Sequence, residues 1–417
     1  MKQLAIISFL LLCHPAYALS DNEDRSHIPS SKTFDVVTWN IEWFGDKSRG
    51  PSDTELQFQN VVQIIDSLQA DLIGVQEIYD GEQFERLLDS LKNYDGFITN
   101  YGWGGDPDAP GLDVGFIYNN QTIQARSNRV VTGYGFTSYD WASRFPLEFE
   151  FVVKIGSTSV RMNALVVHAK ARSDFSSYER RVEASGQIKN NYFDEHLLQV
   201  PLVYLGDYND TMNNSIAGDD LTSPYQNFID DPYYEVVTLP LEEAGEASWP
   251  GIGSRYDASM LDHITINRFL SEEWLRDSEQ VYQPEYIDRY TQTTSDHYPV
   301  RVRFDITGEA TLTNAVNQIH NSPEEASPES TRLLNNYPNP FNPSTFIPFQ
   351  LSEPAQVSIV IYNILGQVIA RPIQNRTFLT GEHRVEFDAA RFPSGLYIYE
   401  MKINGGKRYS RSMMLAK

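Results

Sequence analysis

Residues 34–44 read FDVVTWNIEWF, and this stretch sets the fold class. From Phe34 to Ile41 the residues are mostly β-branched or aromatic, the pattern of a buried strand. Ser52 and Glu55 then form a capping-box pattern, followed by Leu56, Val61, Val62, Ile64, Ile65 and Leu68 at helical spacing. Residues 71–78 return to a short apolar strand, so the chain opens strand–helix–strand. Phe84, Leu87, Leu88 and Leu91 mark a second amphipathic helix. Further strands are expected over 112–118, 148–155, 160–167, 202–205, 263–266 and 300–304, with a long polar helix over 177–196. Strands and helices interspersed in this way predict an α/β unit over 33–305, with two sheets inside and helices outside: a four-layer α/β/β/α sandwich.

On the C-terminal side the pattern changes. Residues 306–332 are rich in Ser, Pro, Glu, Asn and Thr and lose apolar periodicity, which predicts a solvated linker. Beyond it, 357–362, 384–387 and 396–403 alternate as strands do, with turn signals at Leu365-Gly366, Thr380-Gly381 and Gly405-Gly406. Residues 333–417 therefore predict a small all-β, Ig-like sandwich. On the N-terminal side, Lys2, an apolar run from Leu4 to Leu12 and the small-x-small triplet Ala16-Tyr17-Ala18 predict a cleavable signal peptide over 1–18. That run is too short for a bilayer, which takes roughly 20 apolar residues. A lipoprotein signal is disfavoured because Leu12, before the lone Cys13, is large.

The chain has 417 residues, with 33 Lys/Arg against 56 Asp/Glu and a net charge of -23. A surface that holds nucleic acid by being basic overall is excluded; an enzyme with a local cationic or metal-loaded site is not. One cysteine excludes a disulfide framework and a thiolate zinc site. Residues 331–417 carry 10 Lys/Arg against 5 Asp/Glu, leaving 23 basic and 51 acidic residues to the rest. The change of sign supports a boundary near residue 330.

The polar residues that carry chemistry stand where expected strands begin or finish. They are Asn40 after Trp39, Glu77 after Gln76, His168 after Val167, Asp207 and Asn209 in GDYND, and Asp262 and Asp296-His297 before strands. Each alone has a plain reading. A Glu after a strand is usually solvated, Gly-Asp-x-Asn is usually a turn, and Ser-Asp-His-x-Pro suits the start of a strand. Their order and combination carry more. The series TWNIEWF (38–44), GVQE (74–77), VVHAK (166–170), GDYND (206–210), LDHI (261–264) and SDHYPV (295–300) resembles the endonuclease/exonuclease/phosphatase superfamily, from Phe34 to Asp305.

That resemblance implies hydrolysis of a phosphoric ester, which needs a nucleophilic water, charge relief on the phosphoryl oxygens and help for the leaving oxygen. His297 has the side chain to deprotonate water near neutral pH. The resemblance gives it Asp262 as the carboxylate that holds its tautomer. Glu77, Asn40 and Asp296 are the implied hard oxygen ligands, favouring Mg²⁺ or Mn²⁺ over zinc and leaving Ca²⁺ open as a structural ion. Asp207 and Asn209 would orient water and hold the phosphate, and His168 would donate to a non-bridging oxygen. Arg144, in Ser143-Arg144-Phe145-Pro146, resembles the Arg-x-Pro segment of deoxyribonuclease-like members and would contact phosphate. Asp113 is a possible partner of His168, and Lys170 and Arg172 are candidate substrate-binding cations, with a solvated charged face as their plain alternative.

Substrate choice in such enzymes lies in the loops. Two loops here are aromatic, 101–105 (YGWGG) and 134–141 with Phe136, Tyr139 and Trp141. Such rings stack on bases, insert into a membrane interface, or pack on one another. An extracellular nuclease acting on DNA or RNA is the favoured expectation. A lipid or nucleotide phosphodiesterase, sphingomyelinase-like, and a phosphomonoesterase are the alternatives. YPNPFNPST, IYNILGQVI, SGLYIYE and the terminal MMLAK resemble the type A sorting domain of the type IX secretion system, spanning 333–417. This implies the secretion machinery as a partner, a Gram-negative periplasm on the route, and a secreted or surface-attached, monomeric product without a transmembrane segment.

Overall fold

The structure, a computed structural model, describes residues 32–99, 112–198, 200–218, 220–251, 257–307, 331–336, 339–353, 355–378 and 381–417. The signal peptide 1–18, nearly all of the linker 306–332 and the loop 101–105 lie outside the described residues.

The first region contains β1 (Phe34–Phe44), α1 (Thr54–Leu68), β2 (Leu72–Ile78), α2 (Gly81–Ser90), β3 (Tyr94–Ile98), β4 (Asp113–Asn119), β5 (Ile123–Val130), β6 (Leu147–Ile155), β7 (Thr158–His168) and α3 (Phe175–Ile188). A π-helical turn, Lys189–Leu197, continues α3, so the expected single helix over 177–196 changes its winding after Ile188. Then come β8 (Leu202–Asp207), α4 (Gln226–Ile229), β9 (Tyr234–Val236), α5 (Leu239–Glu243), β10 (Asp262–Asn267), β11 (Gln280–Val281), α6 (Tyr290–Thr293) and β12 (Val300–Phe304).

The strands form two six-stranded sheets, in the orders β11-β12-β1-β2-β4-β3 and β5-β6-β7-β8-β10-β9. Each sheet has one parallel pair, β1 with β2 across α1 and β7 with β8 across α3, and is otherwise antiparallel. Phe34, Val36, Leu72 and Phe116 of the first sheet and Phe149, Phe151, Val166 and Leu205 of the second share one buried core. At Gly74 the sheets approach so closely that a Cβ would lie 2.8 Å from Leu205 Cδ1. The outer face of the first sheet (Val37, Trp39, Ile73, Val75) is covered by Val61, Ile64, Ile65 and Phe84 of α1 and α2. Ala184, Ile188 and Tyr192 cover Leu165, Val167 and Tyr204 on the second. The four-layer α/β/β/α sandwich is therefore the observed architecture.

The cap of α1 differs from the capping-box expectation. The N-cap is Asp53, whose carboxylate accepts from Leu56 N at 3.0 Å, and not Ser52. Both residue types cap well; the one that stands a single residue before the first helical dihedral does so. The helix ends in a left-handed Gln69 whose N–H reaches Ile65 O.

The C-terminal region holds β13 (Arg332–Leu333), β14 (Ser344–Leu351), β15 (Ala355–Asn363), β16 (Val368–Phe378), β17 (Gly381–Asp388), β18 (Gly395–Ile403) and β19 (Lys407–Leu415). They form antiparallel sheets β13-β14-β17 and β16-β15-β18-β19. Phe349 and Leu351 of one sheet and Val357, Ile359, Tyr399 and Met401 of the other close a core, so this is a small all-β sandwich. Among the described residues no helix is long and apolar enough to cross a membrane.

Candidate active site

Strand register builds half of the site. On the second sheet His168 pairs with Asp207 across the parallel β7–β8 ladder, and Asp207 pairs with Asp262 across the antiparallel β8–β10 ladder. Three chemically competent side chains thus stand in a row at one sheet end. Gly206 makes the row possible: its φ is +148, and a Cβ there would lie 2.1 Å from Val167 O. No side chain fits that approach.

The first sheet delivers its residues through irregular backbone. The β1–β2 register shifts between Asn40 and Phe44. Glu42, Trp43 and Glu77 all have positive φ, at 44, 46 and 61. Non-glycine residues in this region are uncommon and concentrate at functional sites. Gln57 of α1 fastens the kink, its Nε2 donating to Ile41 O at 3.0 Å, Glu42 O at 2.9 Å and Thr294 O at 3.1 Å. Glu77 Oε2 accepts from Trp43 N at 3.1 Å.

The two halves meet at Asn40, whose Nδ2 donates to Glu77 Oε1 at 3.2 Å and to Asp207 Oδ2 at 3.0 Å. Its Oδ1 accepts from Glu42 N at 3.0 Å. His297 Nδ1 lies 2.6 Å from Asp262 Oδ2, and its Nε2 faces Asp207 at 3.9 Å. The backbone carbonyl of His297 accepts from Tyr290 Oη at 2.6 Å and Trp39 Nε1 at 3.2 Å, which fixes the residue from behind. Burial alone would lower the His297 pKa, but Asp262 and then Asp207 hold it well above the ordinary histidine value. Asp207 is pushed up to about 7 by burial and by Asp262, against the lowering effect of His297.

His168 is the opposite case. Arg144 Nη1 lies 3.0 Å from its Nδ1. The same Nη1 lies 3.3 Å from Nε2, and Nε2 also faces carboxylate oxygens of Glu77 and Asp207 at 3.6 Å. A guanidinium only donates and a carboxylate only accepts, so a proton on Nε2 with Nδ1 accepting from Arg144 suits both sides of the ring. Burial, then Arg144, His297 and Lys170, hold His168 well below the ordinary value, as a neutral ring. Arg144 Nη2 and Asn209 Nδ2 both donate to Ala169 O, at 2.9 and 3.2 Å. Asn209 N donates to Asp207 Oδ1 at 2.8 Å from a left-handed backbone, φ 53, that Asn tolerates well.

Asn40, Glu77, Arg144, His168, Asp207, Asn209, Asp262 and His297 are thus brought together, with Asp296 adjoining through Glu42. Asp113 is not: it lies on β4 beside Ile78 and accepts from Thr99 Oγ1 at 2.7 Å, while His168 takes Arg144, Glu77 and Asp207 as neighbours. Lys170 and Arg172 follow His168 at the rim. Sequence reading passed over Glu42, Gln57 and Tyr290. Glu42 was within reach, since it follows Asn40 by the two-residue period that keeps a strand side chain on one face. Gln57 and Tyr290 act through contacts distant in sequence and left no signal.

The aromatic loop resolves as packing. Trp141 is 2% exposed, stacks on Phe136 at 5.1 Å and donates from Nε1 to Gln187. Its burial removes it as a membrane anchor, and Tyr139 is the ring of this loop that stays open. Arg181, on the helix that follows these cations, is fully buried against Asp210 and donates to the carbonyls of Lys170 and Arg172.

The donors suit a hard divalent cation. Glu77 is raised by burial and by Asp296, and Glu42 is pushed up to about 8 by burial, Asp296 and Glu77. Carboxylates crowded in this way favour a positive charge among them. Asp296 Oδ2 accepts from Trp249 Nε1 at 3.2 Å, which aims that carboxylate. Asp207, Asp262 and His297 also offer ligand atoms within 4.8 Å of one another. The short His297–Asp262 hydrogen bond occupies that trio, so an ion there would have to break it. The oxygen group around Glu77 is the better seat.

Residues 37–297 match the sequence model of the endonuclease/exonuclease/phosphatase family, and residues 335–415 match that of a secretion system C-terminal sorting domain. No curated protein matches the chain. Among solved structures the chain is similar to the human nocturnin catalytic domain with bound sulfate, at 16% identity and TM-score 0.48, over 66% of this chain and 94% of that one. It is similar to a humanized D. rerio TDP2 at 11% identity and TM-score 0.48, over 66% and 99%. A mannosyl-6-phosphatase of Bacteroides thetaiotaomicron matches at 14% identity and TM-score 0.44, over 64% and 98%.

Proposed function

The chain belongs to the endonuclease/exonuclease/phosphatase family, and from that premise we propose that it is an exported, divalent-metal-dependent phosphodiesterase that cleaves nucleic acid. The observation that carries the hydrolytic chemistry is the His297–Asp262 pair at 2.6 Å, facing Asp207 and bridged through Asn40 to Glu77.

In this reading Asp262 keeps the proton of His297 on Nδ1 and leaves Nε2 to take the proton of an attacking water. Asp262 and Asp207 raise the proton affinity of the ring, so the form that activates water is the neutral ring that has given up its Nε2 proton. Asp207, fixed by Asn40 and Asn209, orients that water. His168, held neutral, offers its Nε2–H to a non-bridging oxygen without itself titrating, and Arg144 sets its tautomer and adds charge beside the phosphate. Glu77 and Asp296, with Glu42 and Asn40 around them, would hold Mg²⁺ or Mn²⁺. When bound, the cation supplies Lewis-acid charge relief to the phosphoryl oxygens. Lys170 and Arg172 support a polyanionic substrate over a small neutral one.

For the ends of the chain we propose a signal peptide at 1–18, a linker at 306–332 and a type IX sorting domain at 333–417, with passage through the periplasm of a Gram-negative bacterium. The test is hydrolysis of plasmid DNA, RNA, bis-(p-nitrophenyl) phosphate and sphingomyelin with Mg²⁺ or Mn²⁺, by the wild type and His297→Ala. Cleavage of DNA or RNA that the variant loses is the expected result. Hydrolysis of sphingomyelin alone would overturn the nucleic-acid assignment while keeping the phosphodiesterase.

A further inference from the structure

Beyond His168 the rim of the site carries cations and open rings that the chemistry above does not use. Arg181 Nη1 donates to Lys170 O at 2.7 Å and Arg172 O at 2.8 Å, which draws both residues to α3 beside Arg180. Lys170 is held below the usual lysine range by partial burial and then by Arg180, Arg172 and Arg144. The neighbouring acid, Asp174, is engaged as the cap of α3, accepting from Ser177 N at 3.0 Å and Ser177 Oγ at 2.8 Å. Asp174 still attracts Lys170, but the flank holds more cations than acids, which suits an anion.

Two exposed aromatic rings stand among these cations. Tyr139 is 61% exposed and Phe175 57%. The Arg180 guanidinium lies 4.4 Å from the Tyr139 ring centroid, and its Nε donates to Tyr139 O at 2.7 Å. Tyr139 Oη lies 3.2 Å from Ser176 Oγ, which brings the neighbouring Phe175 to the same ridge, and Phe175 packs on Tyr178 at 5.8 Å. The ridge is continuous with the reaction centre, because the loop that lifts Tyr139 also carries Arg144. Arg144 N donates to Trp141 O at 2.8 Å, and the Phe136–Trp141 stack forms the firm base beneath.

We propose that Tyr139, Phe175 and Arg180, with Lys170 and Arg172, form a track for single-stranded nucleic acid, the rings stacking on unpaired bases and the cations following successive phosphates. This rests on the nuclease reading and deepens it. Open rings interleaved with cations match a strand whose bases and phosphates alternate. A duplex hides its base faces, and a small phosphate ester needs nothing beyond His168 and Arg144. A neutral choline headgroup would have no use for four cations.

The test compares the full chain with Tyr139→Ala, Phe175→Ala and Phe175→Trp, on a single-stranded oligothymidylate, on duplex DNA and on bis-(p-nitrophenyl) phosphate. Removing one stacked ring should raise KM for the single strand by about 5- to 150-fold, the range for losing one base–aromatic stack. The kcat/KM ratio of strand to bis-(p-nitrophenyl) phosphate should fall with it, and Phe175→Trp should restore it, which a folding defect would not. If the wild type cuts single strands and both alanine variants cut them equally well, the track is refuted and the nuclease reading stands. If the wild type hydrolyses bis-(p-nitrophenyl) phosphate and no nucleic acid, the nuclease reading fails and takes the track with it. Loss of binding to phosphatidylcholine vesicles in the alanine variants, with strand cleavage untouched, would make the ridge a membrane contact and overturn the inference.

Discussion

The two ends of the catalytic sandwich bury carboxylates in opposite ways. At the end away from the site, Asp35 accepts from Thr33 Oγ1 at 2.6 Å and is paired with both Arg301 and Arg303. Asp71 beside it accepts from Asp35 N at 2.9 Å and Thr122 Oγ1 at 2.6 Å. At the site end, Glu42, Glu77, Asp207, Asp262 and Asp296 converge with His297 and Arg144 as the main balancing groups. At the far end Asp35 is closed electrostatically by the chain's own arginines, and the site end is left short of positive charge. A buried acid that the protein has already neutralised serves the fold, whereas a group of acids left under-compensated prepares a place for a cation and a proton acceptor.

The strongest way to break this contrast is His297→Ala. It should lower turnover by roughly 10²–10⁴-fold, the usual contribution of a positioned base. A loss of less than tenfold in steady-state kinetics would remove His297 from the chemistry. The matching change at the far end, Arg301→Met, should leave kcat/KM of the folded fraction alone and destabilise the protein by about 2–4 kcal/mol, because Asp35 keeps a buried charge with one partner fewer. Urea denaturation gives the second number and kinetics the first; a variant of native stability would show that the far end is not closed by that pair.

A cation should stabilise through the site end only. Mg²⁺ or Mn²⁺ at about 100 times its dissociation constant should raise stability by roughly 2.7 kcal/mol, and chelation should remove the gain. Glu77→Gln should need more metal for the same rise in thermal midpoint and for half-activity. Unchanged titrations would count against a ligand role for Glu77.

The smallest effect comes from pH at the far end. Burial pushes Asp71 up to about 6, from an ordinary value of 3.8. The folded state therefore holds this proton more tightly than the unfolded chain, and the contribution of Asp71 to stability falls as pH rises from about 4 to 6. Asp71→Asn should be nearly neutral at pH 4 and stabilising above pH 6, by at most on the order of 2 kcal/mol, since Thr122 can accept from the new amide. Equal denaturation midpoints for the two proteins at both pH values would show that Asp71 ionises in the fold without strain.

The edge strands show where sequence reading stops. The catalytic strands that the sequence pattern passed over are β3, β5, β9 and β11, and these are the four edges of the two sheets. An edge strand is paired on one side only and carries polar residues, as IQARSNRV does in β5, so its apolar signal is weak. Central strands such as VVTW and LVYL are covered on both faces, and burial writes itself into composition.

For the chemistry, the sequence by itself determined which side chains stand at strand ends and in what order, because a strand's end is local and a motif such as GDYND keeps Asp207 and Asn209 together. It also determined the change of character near residue 330, since charge and composition are additive along the chain. Only the tertiary structure decided which of these groups meet. Asn40 reaches Asp207 across 167 residues of chain, and His297 reaches Asp262 across 35. The left-handed backbone at Glu42 and Glu77, held by Gln57 and Trp43, sets where their carboxylates sit, and those contacts are made only in the folded chain. The opposite proton affinities of the two histidines were decided there as well. His168 ends one strand and His297 precedes another, and the acids beside His297 and the guanidinium beside His168 set the two rings apart.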